Sequence, residues 1–93
     1  MEPAIEWSPE KNAELKERHG FGFERVLVAL AERRLLDNRT HPNSERYGHQ
    51  RQFIVEIDAY AWIVPFVQVD QTIFLKTMFP SRKATKKNLE QSK

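Results

Sequence analysis

Two spacings of apolar residues divide the chain. In the first third, Phe23, Val26, Leu27 and Leu30 recur at i, i+3, i+4 and i+7, the pattern of one buried helix face. Glu24, Arg25, Glu32 and Arg33 supply the polar surface, so a core helix is predicted over Phe23 to Arg33. Ahead of it, Ser8 offers a side-chain oxygen as a cap and Pro9 fits a first helical position, where no N–H is needed. That predicts a helix from Pro9 to His19, stopped by Gly20. Its apolar residues are only Ala13 and Leu15, so it is a surface helix anchored by Leu15. Ala4 to Trp7 reads as a short strand or an extended lead-in.

Beyond Arg34 the period changes from helical to alternating. Leu35 to Thr40 reads as a short strand, and residues 41–49 form a turn-rich polar loop. Three strands are expected after it: Arg51 to Ile57, Ala61 to Val69, and Thr72 to Phe79, with Asp58-Ala59 and Asp70-Gln71 as hairpin turns lacking the usual glycine. Pro65 cannot donate to a sheet ladder, so a bulge or a missing partner is expected on the side it would have served. Alternation places Phe53, Val55, Ile57, Trp62, Val64, Phe66, Leu75 and Phe79 on one face, and Ile54, Ile63, Val67, Val69, Phe74 and Met78 on the other. Both faces are thus apolar, which calls for a cover on the second: the C-terminal helix, a second subunit or a partner chain. Ser81 is positioned to cap a last helix from Arg82 to about Leu89, with residues 90–93 as a frayed tail. The fold expected is a single α+β domain over residues 1–93: a small antiparallel sheet packed against the N-terminal helices, with a short C-terminal helix.

Composition narrows the chemistry. The 93 residues include no cysteine, which removes disulfides and thiolate metal sites and suits a reducing cytoplasm. No stretch approaches the roughly 18 apolar residues of a membrane span, and the N-terminus lacks the basic and apolar regions of a signal peptide. Net charge is +2, unevenly placed: Arg82, Lys83, Lys86 and Lys87 fall within one short segment that fits an anionic partner. Gly-rich phosphate loops, serine-nucleophile motifs and dinucleotide fingerprints are absent.

Several short motifs are arranged as in one known family. Ile5-Glu6-Trp7-Ser8-Pro9-Glu10-Lys11-Asn12, then Arg18-His19-Gly20 and Phe23-Glu24, resemble the start of BrnT-like toxins. Arg51 opens a strand after a polar loop, and Ser81-Arg82-Lys83-Ala84-Thr85 is similar to that family's Ala-Arg-Arg-Ala-Thr segment. The resemblance runs from Trp7 to Thr85 and rests on the order and spacing of these motifs. It implies a RelE-like fold and a cytoplasmic ribonuclease toxin of a bacterial toxin–antitoxin system. Its partner would be an antitoxin carrying a DNA-binding domain, and the expected assembly is a homodimer or a heterotetramer with that antitoxin. One departure stands out: the family often has a basic residue where this chain has Thr77, and the adjacent Lys76 faces the other way in a regular strand.

Metal-free RNA cleavage needs a base for the 2′-hydroxyl, a charge clamp for the phosphorane and an acid for the leaving oxygen. His49 fits the acid/base role by its pKa range, and Arg51 and Arg82 offer planar forks suited to phosphate. Arg46, Tyr47, Lys83, Lys86 and Lys87 are candidate RNA contacts, Tyr47 by stacking or hydrogen bonding. Convergence of Arg51 and Arg82 requires the two strand ends to meet on one side of the sheet. The bland readings stand beside these: solvated surface charge, a loop-anchoring tyrosine, and His19 as a structural helix end. His41, His49, Glu45 and Asp37 match no standard metal spacing, and neither metal nor cofactor is expected. The second functional reading is a non-catalytic module that pairs with another chain through its sheet face.

Overall fold

The computed structural model describes residues 4–40 and 50–90. The elements run β1 (Ala4–Trp7), α1 (Pro9–His19), α2 (Glu24–Ala31), β2 (Leu35–Thr40), β3 (Gln50–Ile57), β4 (Tyr60–Val69), β5 (Thr72–Leu75), β6 (Phe79–Pro80) and α3 (Arg82–Thr85), which continues into a π-turn over Lys86–Glu90. The class is α+β, as expected. The sheet has the order β1-β5-β4-β3-β2, with β6 also paired to β4. It is mixed rather than wholly antiparallel, because β1 lies parallel to β5. None of the described helices is long and apolar enough to cross a membrane.

The N-terminal signals act as their chemistry dictates. Ser8 Oγ accepts from the Lys11 amide at 3.3 Å, and Gly20 ends α1 at φ 85°. Leu15 is fully buried and anchors the helix. α2 is shorter than its pattern predicts. Arg33 takes φ 60° and the Arg34 amide reaches back to the Ala29 carbonyl at 2.8 Å, a left-handed cap that closes the helix early. Its buried face is Phe23, Val26 and Ala29, with Leu30 partly buried; Leu27 is 36% exposed. The expected Leu27 contact is therefore replaced by Ala29, which lets the helix approach β3 closely.

The main core lies between these helices and one sheet face. Phe53 stacks on Phe66 at 4.1 Å, Trp7 packs on Phe23 at 5.5 Å, and Phe21 meets Trp62 edge-on at 5.0 Å. The second face carries a smaller cluster, in which Ala84 of α3 covers Ile54, Ala61 and Ile63. The C-terminal helix is thus a cover for the second face, but a partial one.

The expected strand from Thr72 to Phe79 is broken over residues 76–78, and Pro65 accounts for the place. The Pro65 carbonyl accepts from the Lys76 amide at 2.9 Å, so its missing N–H would have served the same side. The ladder lapses there, and the chain rejoins β4 with one residue extra. Phe66 pairs with Leu75, and continuing that register would set Ile63 opposite Met78; it pairs with Phe79 instead. That bulge corrects two face assignments. Met78 turns into the main core at 1% exposure, and Phe79 turns onto the second face, 41% exposed.

The β3–β4 hairpin turns through Asp58 and Ala59, at φ 54° and 64°. Both central residues are left-handed, as a tight two-residue hairpin requires, yet neither is glycine. Ala59 bears a steric cost of about 1–2 kcal/mol there, partly offset by its lower unfolded-chain entropy. Ala59→Gly should stabilise the domain by about 0.5–1 kcal/mol. Thermal unfolding would then show a midpoint a few degrees higher, and a lower midpoint would contradict this reading of the turn.

Candidate nucleic-acid interface

α3 is fixed by three residues that point toward the sheet. Ser81 Oγ caps it, accepting from the Ala84 amide at 3.1 Å. Ala84 packs into the second-face cluster. Thr85 Oγ1 accepts from the Ala61 amide at 2.9 Å and donates to the Ser81 carbonyl at 2.8 Å, joining the helix to the start of β4. With this side committed, Arg82, Lys83, Lys86 and Lys87 are left outward and exposed. Their i,i+4 spacing sorts them into two pairs.

Arg82 and Lys86 line an open cleft of about 640 Å³ with Tyr60, Glu56, Ala59 and Leu89. Lys83 and Lys87 line a second, of about 320 Å³, with Asp37, Arg39, Ile63 and Asn88. Lys83, Lys86 and Lys87 fall within one short segment of sequence, and the helix divides them between two clefts. The second cleft also gains Arg39, which the sequence reading missed. Its Nε donates to Gln52 Oε1 at 3.1 Å, and Gln52 is only 4% exposed, so a buried amide holds the guanidinium in place. Alternation along the edge strand β2, which sets Arg39 opposite Gln52, was the available signal.

Arg51 is elsewhere. Its Nε and Nη2 donate to Asn38 Oδ1 at 3.3 and 3.1 Å. It pairs with Phe66, whose ring belongs to the main core, so it lies on the face opposite α3. It is also five residues, or about 17 Å, along β3 from Glu56, which lines the Arg82 cleft. Arg51 and Arg82 therefore do not converge on one phosphate. Arg46, Tyr47 and His49, with His41 and Glu45, lie outside the described residues.

Lys76 comes to the α3 side of the sheet, with Nζ 5.5 Å from the Phe74 ring centroid. His19 packs edge-on against Trp62, centroids 4.9 Å apart, at the main core. Burial first, and the neighbouring Arg18 second, hold its pKa below the ordinary 6.5. Its Nε2 is buried and makes no hydrogen bond to the described residues. The neutral ring is the form that fits the fold, which agrees with a structural role. Because the unfolded chain binds this proton more readily, its contribution is complete above about pH 6.5 and is lost as pH falls through the lower folded value. Unfolding midpoints should therefore drop on acidification from pH 7 to 5, and His19→Gln should reduce that drop. An equal pH dependence in the variant would contradict the assignment.

Comparison with protein-family models, with curated proteins and with solved structures finds no match to this chain.

Proposed function

We propose that the chain is the toxin component of a bacterial toxin–antitoxin system, a metal-independent endoribonuclease of the cytoplasm that inhibits translation. The observation that carries the RNA-directed part is α3. Its buried side is fixed by Ser81, Ala84 and Thr85, and it turns Arg82, Lys83, Lys86 and Lys87 outward beside two open clefts. These cations form no ion pair with the described residues, which leaves them available to phosphate. The toxin assignment rests on the BrnT-like motifs. It brings the cognate antitoxin, with its DNA-binding domain, as partner, and a homodimer or a heterotetramer with that antitoxin as the assembly.

The separation of Arg51 from Arg82 divides their roles. His49 precedes Arg51 by two residues in the sequence, and the base for the 2′-hydroxyl is assigned to His49 and the clamp for the developing phosphorane charge to Arg51. Attack of the 2′-oxygen on phosphorus, its proton passing to His49, expels the 5′-oxygen, which takes a proton from water, and gives a 2′,3′-cyclic phosphate and a 5′-hydroxyl. Arg82 and the lysines bind flanking phosphates. Arg51→Ala should lower kcat about 100-fold, by analogy with loss of one charge-stabilising donor. Arg82→Ala should raise KM and leave kcat nearly unchanged. A kcat loss confined to Arg82→Ala would relocate the chemistry to α3.

One observation favours the second reading, a protein-binding module working through the sheet face. Val69 is 66% exposed and Phe79 41% exposed on the face that α3 covers only in part. An oligomer that dissociates on Val69→Asp, in a protein inactive on RNA, is its expected signature.

A further inference from the structure

The uncovered part of the second face has a chemistry of its own. Phe79 lies beside Ile63 on β4, and Phe74 lies beside Val67, four residues and about 13 Å farther along the same face. Phe79 is exposed and Phe74 half-buried. To one side of this row, across β3, stands the Arg39, Lys83 and Lys87 cleft, which Ile63 also lines. On the other side stands Lys76, whose amide bonds the Pro65 carbonyl and whose Nζ lies over Phe74. The acids nearby are Asp37, within the cleft, and Glu6, opposite Phe74 on β1. Cations at Arg39, Lys76, Lys83 and Lys87 outnumber them. Aromatic rings spaced along an open sheet between cations match an extended strand of bases and phosphates better than a purely apolar partner.

We infer that single-stranded RNA lies along β4 on this face, its bases stacked on Phe79 and Phe74 and its phosphates held by Arg39, Lys83, Lys87 and Lys76. The inference rests on the RNA-directed reading and adds to it the strand form and the path. The path ends beside Gln50, which pairs with Val67 and opens β3. Duplex RNA hides its base faces and cannot use the rings. Selectivity for single strands therefore follows from the platform, while the cations supply affinity that falls with salt.

The test is fluorescence anisotropy with a short labelled 2′-O-methyl oligoribonucleotide, which lacks the free 2′-hydroxyl needed for cleavage, beside a blunt duplex of the same sequence. Wild type should prefer the single strand. Phe79→Leu, which keeps an apolar side chain, should weaken binding about tenfold with an unchanged salt slope, and Phe79→Trp should restore it. Arg39→Ala, Lys83→Ala and Lys87→Ala should each lower the salt slope by about 0.7. Phe79 is partly exposed, so its variants should fold, and thermal unfolding verifies that. Equal binding of duplex and single strand, with Phe79→Leu unaffected, would overturn the platform while leaving the RNA reading in place. No binding by the folded wild type would overturn both. A concentration-dependent dimer that Phe79→Leu dissociates would assign the face to a second copy and overturn the platform.

Discussion

Asn12→Ala should unfold about 8–24 °C below wild type, from a loss of about 2–3 kcal/mol. Asn12 is buried, although it sits on a helix that is otherwise mostly exposed. Its Oδ1 accepts from the Phe23 amide at 2.7 Å, and its Nδ2 donates to Glu24 Oε2 at 2.8 Å. Phe23 precedes the first residue of α2 and has no side-chain cap of its own, so Asn12 provides one from the neighbouring helix. Truncation leaves a buried N–H without a partner, which costs more than the bond itself contributes. Asn12→Asp retains the acceptor but faces Glu24, and should fall between the two. The room for this contact depends on Gly22, where an added Cβ would lie 2.0 Å from Asn12 Oδ1. Gly22→Ala should therefore reproduce much of the Asn12→Ala loss. Unfolding midpoints by circular dichroism decide the matter, and an Asn12→Ala midpoint within a degree or two of wild type would remove the capping account.

Thr85→Val should cost about 1–3 kcal/mol, lowering the midpoint by about 4–8 °C for each kcal/mol. Valine matches the shape of threonine but cannot accept from the Ala61 amide or donate to the Ser81 carbonyl. The buried Ala61 N–H loses its partner, and of the polar ties between α3 and β4 the bond from the Ser81 amide to the Ala61 carbonyl remains. Hydrogen exchange at the Ala61 amide should accelerate in Thr85→Val and remain slow in Thr85→Ser. Slow exchange in the valine variant would show that Ala84 packing and the Ser81–Ala61 bond suffice to hold the helix. Because α3 and its π-turn carry every cation of the two clefts except Arg39, RNA affinity should fall with its docking, although no cation has been altered.

The sequence made the helix boundaries set by specific chemistry legible. Ser8 with Pro9, Gly20 and Ser81 each occupy the terminus their side chains or backbone freedom favour. It also showed that Pro65 must interrupt a ladder, but not how the chain would rejoin. A one-residue shift costs little locally and reverses every later side chain, which is why Met78 and Phe79 exchanged faces. Leu27 and Ala29 both fit a helical period; the choice depended on how closely α2 approaches β3, a tertiary quantity. The end of α2 at Arg33 and the Asp58-Ala59 turn use left-handed residues that carry no glycine signal. Parallel pairing of β1 with β5 joins segments from opposite ends of the chain, and local alternation is silent on such pairings.

The candidate site was readable as residue types and less so as an arrangement. The basic character of residues 82–87 was plain, but its division into two clefts follows from which side Ala84 and Thr85 turn to the sheet. Arg39 carries no sequence signal of its own, because what positions it is Gln52, a residue of the neighbouring strand. Arg51 and Arg82 formed a natural pair by chemistry alone; the pleat and strand length separate them.

The most direct measurement is incubation of the purified wild-type protein with end-labelled single-stranded RNA in EDTA. The account predicts cleavage without metal, giving fragments with 2′,3′-cyclic phosphate and 5′-hydroxyl ends, slowed about 100-fold or more by His49→Ala. Intact RNA in the presence of well-folded protein, or cleavage only after a divalent metal is added, would contradict it.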